Sequence, residues 1–394
     1  MAWVEKSGKH TWRVRYETDD GIASIPGFPT KKAADDAAAD IEAQQRSETW
    51  IDPAAGRTTL GTYVDQDWLD ALDVGERTEE NYRSKLKNHI LPRWQDTPLT
   101  HITNSKARAW AKTLRHNGLA PVTASDTMKL LSLILSDAAD DQLIPTNPIR
   151  SRHRGKASRT RTREKVWATP HEVLQIADQA AAYYGHDAAI LILTAAWTGA
   201  RWGELTGLQR PNLHLDDATL VIDPDIGALH ESNSGKLWLG PPKTPESART
   251  ITLPDFLIPL LKLYLDTHDH DHVFVTTDVE LQRRSNFSRR AMRPAADGNL
   301  DVTRPRVRTQ PIKPGLVFHG LRHSHKTWLI ADGIPDIAQS RRLGHKLPDK
   351  IQETYSHVAA EVEQRLIAAL TTRWDEALNA LRPNEVDTTW RTAA

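Results

Sequence analysis

The sequence predicts a multidomain protein, mainly α with small β-sheets. Three observations predict it. Apolar residues recur at helical spacing through most of residues 58–147 and again in the carboxy-terminal half. Alternating, strand-like runs are short and scattered, at residues 12–16, 219–222 and 249–253. Between the two helical regions stands a charged stretch with no apolar period, which reads as a linker. A chain of 394 residues is long enough for two or three cores.

Composition bounds the chemistry. Lys+Arg and Asp+Glu each total 51, so net charge announces no partner and local surpluses matter more. The absence of cysteine excludes disulfides, thiolate zinc sites and a cysteine nucleophile. No apolar run approaches the roughly 20 residues of a membrane span, and residues 1–6 do not read as a signal peptide. A soluble cytoplasmic protein with no membrane partner is expected.

Residues 1–50 read as a small sheet followed by a helix. The alternation at 12–16, the turn Asp19-Asp20-Gly21 and the run 22–25 predict paired strands, and Thr30 is placed to cap a helix over 31–46. Residues 58–147 read as four or five helices. Val64, Trp68 and Leu72 keep helical spacing, as do Tyr82, Leu86 and Ile90. Thr78 is placed to cap the second of these helices and Pro92 to stop it; two more are expected over 105–114 and 123–139. Arg77, Arg83, Lys85 and Lys87, then Lys106, Arg108 and Lys112, are expected in solvent, as a DNA-binding face or a merely solvated one.

The linker, 148–165, is strongly basic. Arg150, Arg152, Arg154, Lys156, Arg159, Arg161, Arg163 and Lys165 stand against the single acid Glu164, a pattern suited to a strap along a phosphate backbone.

The largest domain is expected over 166–358. Thr169-Pro170-His171-Glu172 is a strong helix start. A helix apolar nearly all round follows over 187–198, and Gly199 is placed to end it. A new helix then carries Arg201 and Glu204 three apart, as an ion pair or an anion clamp. Lys243 falls in a turn before the strand at 249–253; another helix (256–264) and a strand (273–275) follow. A second basic surplus runs from Arg283 to Lys313 and includes Arg289 and Arg290. Two histidine clusters are candidates for metal. His268-Asp269-His270-Asp271-His272 lacks a scaffold to converge its rings, and His319, His323 and His325 lie among arginines that disfavour a cation.

His319 and Arg322, three apart on one helical face, can meet the same anion. Gly344 reads as a helix stop that leaves His345 in a turn, with Pro348 opening a helix that carries Tyr355. Arginine, histidine and a hydroxyl nucleophile in one unit suit chemistry on a phosphate.

In this order, Arg201, Lys243, His319-x-x-Arg322, His345 and Tyr355 resemble the catalytic set of the tyrosine recombinase (phage integrase) family. Thr198-Gly199-Ala200-Arg201-Trp202-Gly203-Glu204-Leu205 is similar to the family's first arginine motif, and Leu343-Gly344-His345 and Thr354-Tyr355-Ser356-His357-Val358 to its last two. Gly320 departs from the Asp of many relatives, and Leu347-Pro348-Asp349 from their Ser-rich entry to the tyrosine helix.

The resemblance implies an arm-type DNA-binding module (1–50), a helical, SAM-like core-binding domain (58–147), a mixed α+β catalytic domain (166–358) and a carboxy-terminal helix and tail (359–394). It implies Tyr355 as nucleophile, Arg201 and Arg322 as phosphate forks, Lys243 as general acid, and His319 and His345 on the phosphate or the moving proton. Glu204 and His323 are supporting residues, and no metal or other cofactor is required. The partners implied are double-stranded DNA attachment sites and a homo-tetramer on DNA, with a directionality factor or host DNA-bending protein as accessory. A last helix is expected over 360–381, which packs on its own domain or, as the resemblance suggests, docks on a neighbouring protomer. The biological role implied is integration and excision of a mobile element; a dimer resolvase and a non-cutting DNA-binding regulator are the alternatives.

Overall fold

The computed structural model describes residues 2–18, 21–46, 51, 55–149, 164–346 and 358–381. The chain divides into two units, one through residue 159 and the other from residue 160.

The first unit contains two separate cores. In the amino-terminal one, β1 (Ala2–Gly8), β2 (Thr11–Thr18) and β3 (Gly21–Phe28) form an antiparallel sheet in sequence order. The helix α1 (Lys31–Arg46) follows, and the Thr30 hydroxyl accepts from the Ala33 N–H at 3.2 Å as expected of a cap. Alternation along β2 turns Trp12, Val14 and Tyr16 toward Ala34, Ala38 and Ile41 of α1. Strand β1 was not expected; its pattern, Ala-Trp-Val-Glu-Lys, is too short in alternation to declare itself.

The helical core holds α2 (Leu60–Tyr63), α3 (Glu76–Lys85), α4 (Leu91–Trp94), α5 (Asn104–His116) and α6 (Pro121–Asp140). Two expectations are corrected here. The cap of α3 is Gly75, and Thr78 lies inside the helix. Pro92 does not end it, because a π-helical turn, Leu86–Ile90, joins α3 to α4 and the Leu91 N–H reaches back to the Leu86 carbonyl. A wider turn just before a proline absorbs the missing N–H and relieves the ring's clash with the preceding turn. The same device recurs in the second unit, where the π turn Ser288–Met292 precedes Pro294. Trp94 meets Trp110 edge to face at 5.8 Å in this core, beside Leu131, Ile134 and Leu135 of α6. Leu133 does not join them and is exposed.

The second unit starts with α7 (Pro170–Tyr183), whose Thr169 and Glu172 form a complete capping box. The helix α8 (His186–Thr198) is buried from Ala188 to Thr198, matching its all-round apolar sequence. Then come α9 (Trp202–Thr206), β4 (Leu213–His214), β5 (Thr219–Ile222), β6 (Ala228–Glu231), β7 (Leu237–Gly240) and β8 (Arg249–Thr252). Strands β4, β5 and β8 form one antiparallel sheet, with Leu220 opposite Ile251. Strands β6 and β7 form a separate hairpin inserted between β5 and β8. The hairpin was not expected; it is seated on α9, where a Cβ at Gly203 or Gly207 would stand 2.8 and 2.4 Å from the Leu229 backbone.

After α10 (Leu257–Leu265) the expected strand at 273–275 is absent as such. Val273 donates to the Leu208 carbonyl at 2.8 Å, and isolated bridges pair His272 with Gln209 and Val275 with Leu281. Residues 273–275 are apolar because they are buried, not because a ladder needs them. The remaining elements are α11 (Arg284–Phe287), α12 (Arg293–Asp297), α13 (Phe318–Ala331), α14 (Asp336–Leu343) and α15 (Ala360–Ala380).

The core centres on Trp197, with Trp328 at 5.1 Å, Trp374 at 5.2 Å and Phe256 at 5.8 Å. Trp374 belongs to α15 and stacks on Phe256 at 4.1 Å and 8°. The Trp197 indole donates to the Leu370 carbonyl at 3.1 Å. Residues 360–380 thus pack into the core of their own chain, the first of the two readings left open for this helix; residues 382–394 lie outside the described residues. No helix among the described residues is long and apolar enough to cross a membrane.

Candidate active site

Two left-handed glycines set the geometry. Gly199 (φ +68°) ends α8 and Gly344 (φ +62°) ends α14. At Gly344 the N–H bonds to the Arg341 carbonyl at 3.0 Å, and the next N–H, of His345, reaches the Ser340 carbonyl at 2.9 Å. That paired closure is a Schellman cap, and it fixes His345 just beyond the helix. Neither glycine has room for a side chain. A Cβ at Gly199 would meet Leu343 and His325 at 2.7 and 2.8 Å, and one at Gly344 the Glu246 carbonyl at 2.9 Å.

Arg201 follows the first turn and occupies the cap position of α9 rather than its body. Its backbone N–H donates to Glu204 Oε2 at 2.9 Å and its Nη1 to Oε1 at 2.6 Å. Nη1 also donates to Ser247 Oγ (2.8 Å) and Nη2 to the Gly344 carbonyl (3.2 Å). Of the readings left open for this arginine, the ion pair with Glu204 is present, and the guanidinium keeps donors beyond it. A guanidinium has five N–H groups, and the bonds above use three.

Arg322 lies on α13, 4% exposed. It donates to the Gly199 carbonyl at 2.7 Å and the Leu343 carbonyl at 2.5 Å. Burial and the adjacent Arg201 push its pKa down to about 9, against the pull of Glu204. Burial acts to raise the Glu204 pKa, but Arg249 and Arg201 outweigh it and hold the carboxyl below the usual range. Arg201, Arg249 and Arg322 thus surround one carboxylate, and the excess positive charge suits an anion.

The histidines are held neutral. His345 is half-buried and pushed down to about 4 by burial and by Arg322, Lys326 and Arg201. His319 has an exposed edge on α13, yet partial burial of its ring and the charges of His323 and Arg322 push it down to about 4 as well. His323 stands edge to face with His319 at 4.8 Å. Space is tight at Gly320: a Cβ there would lie 2.6 Å from the Leu316 Cδ1, which would have to swing aside, and 3.1 Å from the Val166 carbonyl.

Lys243 is exposed on the loop between β7 and β8. Its loop is tied to the arginines through Thr244 Oγ1, 3.1 Å from Ser247 Oγ. Arg289 and Arg290 are exposed on the π turn before α12. Tyr355 and the linker residues Arg150, Arg152, Arg154, Arg159, Arg161 and Arg163 lie outside the described residues.

Sequence reasoning missed Arg249, Ser247 and Arg342 as parts of the site, and weighed His325 only as a metal ligand. Nothing in their local pattern separates them from surface residues, because most of their partners, side chains and main-chain carbonyls alike, lie far away in sequence. Arg342 donates to His325 Nε2 (3.1 Å) and to the carbonyls of Thr252 and Trp197 (3.0 Å each). His325 is fully buried, and its Nδ1 bonds to the Ala196 carbonyl at 2.8 Å, so it is a neutral spacer and not a ligand. In the His268–His272 loop, carbonyls of His268 and His270 hold Arg210, and the His268 and His270 Nδ1 atoms accept the N–H groups two residues on. Those imidazoles shape turns.

Residues 167–361 match the phage integrase family. That segment is a phage integrase family domain. It is 29% identical over 373 residues to the prophage phiRv2 integrase of Mycobacterium tuberculosis, covering 93% of each chain. It is 27% identical over 314 residues to the integrase of Mycobacterium phage L5, covering 76% of this chain and 78% of that one. Among solved structures, the Tn1549 transposon integrase in complex with transposon right end DNA is similar in fold, with a TM-score of 0.62 at 16% identity, covering 80% of this chain and all of that one. A lambda integrase tetramer bound to a Holliday junction gives a TM-score of 0.52 at 20% identity, covering 90% and 94%.

Proposed function

We propose that this integrase-family chain is a site-specific DNA recombinase that cuts and rejoins DNA through a 3′-phosphotyrosyl link, and that its role is to move a mobile element into and out of a chromosome. The observation that carries the reading is the pair Arg201 and Arg322, rigidly held around the two glycine turns with too little carboxylate to neutralise them.

Two planar forks fit the two non-bridging oxygens of a phosphodiester and the charge that grows on them in a pentavalent transition state. The Tyr355 oxygen attacks phosphorus, the bond to the 5′-oxygen breaks, and Lys243 supplies the proton that leaves a 5′-hydroxyl. His319 and His345, neutral before substrate arrives, hydrogen-bond the phosphate or take the phenol proton. A 5′-hydroxyl from a second duplex reverses the step, so no metal or nucleotide is consumed.

In this reading residues 1–50 contact arm-type sites. The outward side of their sheet carries Trp3, Arg13, Arg15 and Ser24, set by the register of β1, β2 and β3. Residues 58–147 and the linker grip the core site, four chains assemble on DNA, and the protein works in the cytoplasm at the nucleoid. The match to phage and prophage integrases along most of the chain favours integration over dimer resolution, and the intact set of charged residues favours an enzyme over a regulator.

The test is a nicked suicide duplex incubated with the chain in EDTA. A covalent protein–DNA adduct is expected from the wild type and none from Tyr355→Phe. An adduct that persists in the phenylalanine variant, or one that needs a divalent metal, sinks the mechanism.

A further inference from the structure

The guanidinium of Arg249 joins three separate parts of the site. It lies on β8, its side chain 7% exposed. Nη2 donates to Glu204 Oε2 at 3.0 Å, on the carboxylate whose other oxygen holds Arg201 Nη1. Nη1 donates to the Ser247 carbonyl at 2.6 Å, and Ser247 Oγ in turn receives Arg201 and touches Thr244, next to Lys243. Nε donates to the Arg342 carbonyl at 2.6 Å, two residues before Gly344 and three before His345.

We propose that Arg249 is a positioning residue for DNA cleavage: it sets Arg201, the loop that bears Lys243 and the turn that bears His345 relative to one another. This rests on the recombinase reading above. The three segments come from distant parts of the chain, and Arg249 is bonded to each of them. The planar fork is what does it, since three fixed directions are satisfied at once. A lysine keeps the charge but offers a single ammonium on a flexible stem, which cannot span three acceptors in these directions. Nor does Arg249 need to meet DNA. It is buried, with three of its five N–H groups held by protein, so its effect passes through Arg201 and His345.

Purely structural buried pairs lower stability and all activities together when broken. A positioning residue separates them. Misplacing a reacting group by about 1 Å costs on the order of a hundredfold in rate without a matching loss of binding.

The experiment compares wild type, Arg249→Lys and Arg249→Gln as full-length chains. Three quantities are read: the single-turnover rate of adduct formation on the suicide duplex, the dissociation constant for the same duplex, and the thermal midpoint. The expected result is a folded variant whose adduct rate falls by at least about tenfold, while DNA affinity stays within about threefold. A wild-type rate in either folded variant overturns the proposal. So does a rate loss no larger than the loss in affinity, or failure of both variants to fold, each of which assigns Arg249 to stability alone. Absence of adduct from the wild type is a different result, and it counts against the recombinase reading instead.

Discussion

Arg201 donates to the main-chain carbonyl of Gly344, 143 residues further along the chain and directly before His345, across 3.2 Å. The counterpart bond runs the other way: Arg322 donates to the carbonyl of Gly199, at the turn that leads into Arg201, across 2.7 Å. Each arginine is thus tied to a helix end that the other side of the site depends on. These two bonds go to neutral carbonyls, which orient the guanidiniums without cancelling charge, while the one carboxylate at the site, Glu204, is shared by Arg201 and Arg249.

Gly344→Ala tests that arrangement. The substitution strains a left-handed residue and drives a Cβ to 2.9 Å from the Glu246 carbonyl and 3.0 Å from Ser247 Cα, which are backbone atoms with little freedom to give. A loss of about 1–3 kcal/mol in stability is expected. Adduct formation falls with it because the His345 turn moves. Unchanged urea midpoint and adduct yield contradict the account.

Arg322→Lys keeps a positive charge but not the fork. The carbonyl of Gly199 or Leu343 loses its donor, at a cost of about 1–3 kcal/mol. The adduct rate drops by roughly 10²–10³-fold, as for loss of one preorganised donor at a developing anion. DNA affinity by titration stays near wild type. A lysine variant that cleaves normally removes Arg322 from the transition state.

Stability depends on pH through the histidines. His345, His325, His323 and His319 all have folded pKa values below the ordinary one, His345 at about 4. The folded state therefore binds fewer protons than the unfolded state between those limits. Their contribution is complete above about pH 6.5 and is lost as pH falls toward 4. The depressed Glu204 adds a further loss at lower pH, with the same sign. Urea midpoints should decline steadily from neutral to pH 5; a rise on acidification refutes the assignment.

Trp374→Ala asks where the last helix belongs. Its ring is 1% exposed, stacked on Phe256 and edge-on to Trp197. Truncation is expected to cost about 3–5 kcal/mol in the isolated chain. Deleting everything after residue 358 also removes Leu366 and Leu370 from the same core and should abolish cooperative unfolding of this unit. A dilute deletion variant with wild-type stability restores the view that the helix serves a neighbour.

Local chemistry by itself determined the helix ends at Thr169, Gly199 and Gly344, the buried helix α8, and the identity of the arginine and histidine motifs. Those depend on side chains within a turn or two of each other, so a linear chain displays them. Local rules failed where distant atoms decide. Pro92 reads as a stop until the π turn before it appears. The apolar residues 273–275 read as a strand until burial accounts for them. Sequence spacing placed Arg201 and Glu204 together, but only the fold brings Arg249 to that carboxylate and Ser247 and the Gly344 carbonyl to the Arg201 guanidinium. Hydrogen bonds from a side chain to a remote main-chain carbonyl leave no residue-type signature at the acceptor. That is why the tertiary structure, and not the sequence, revealed what holds the two arginines in place.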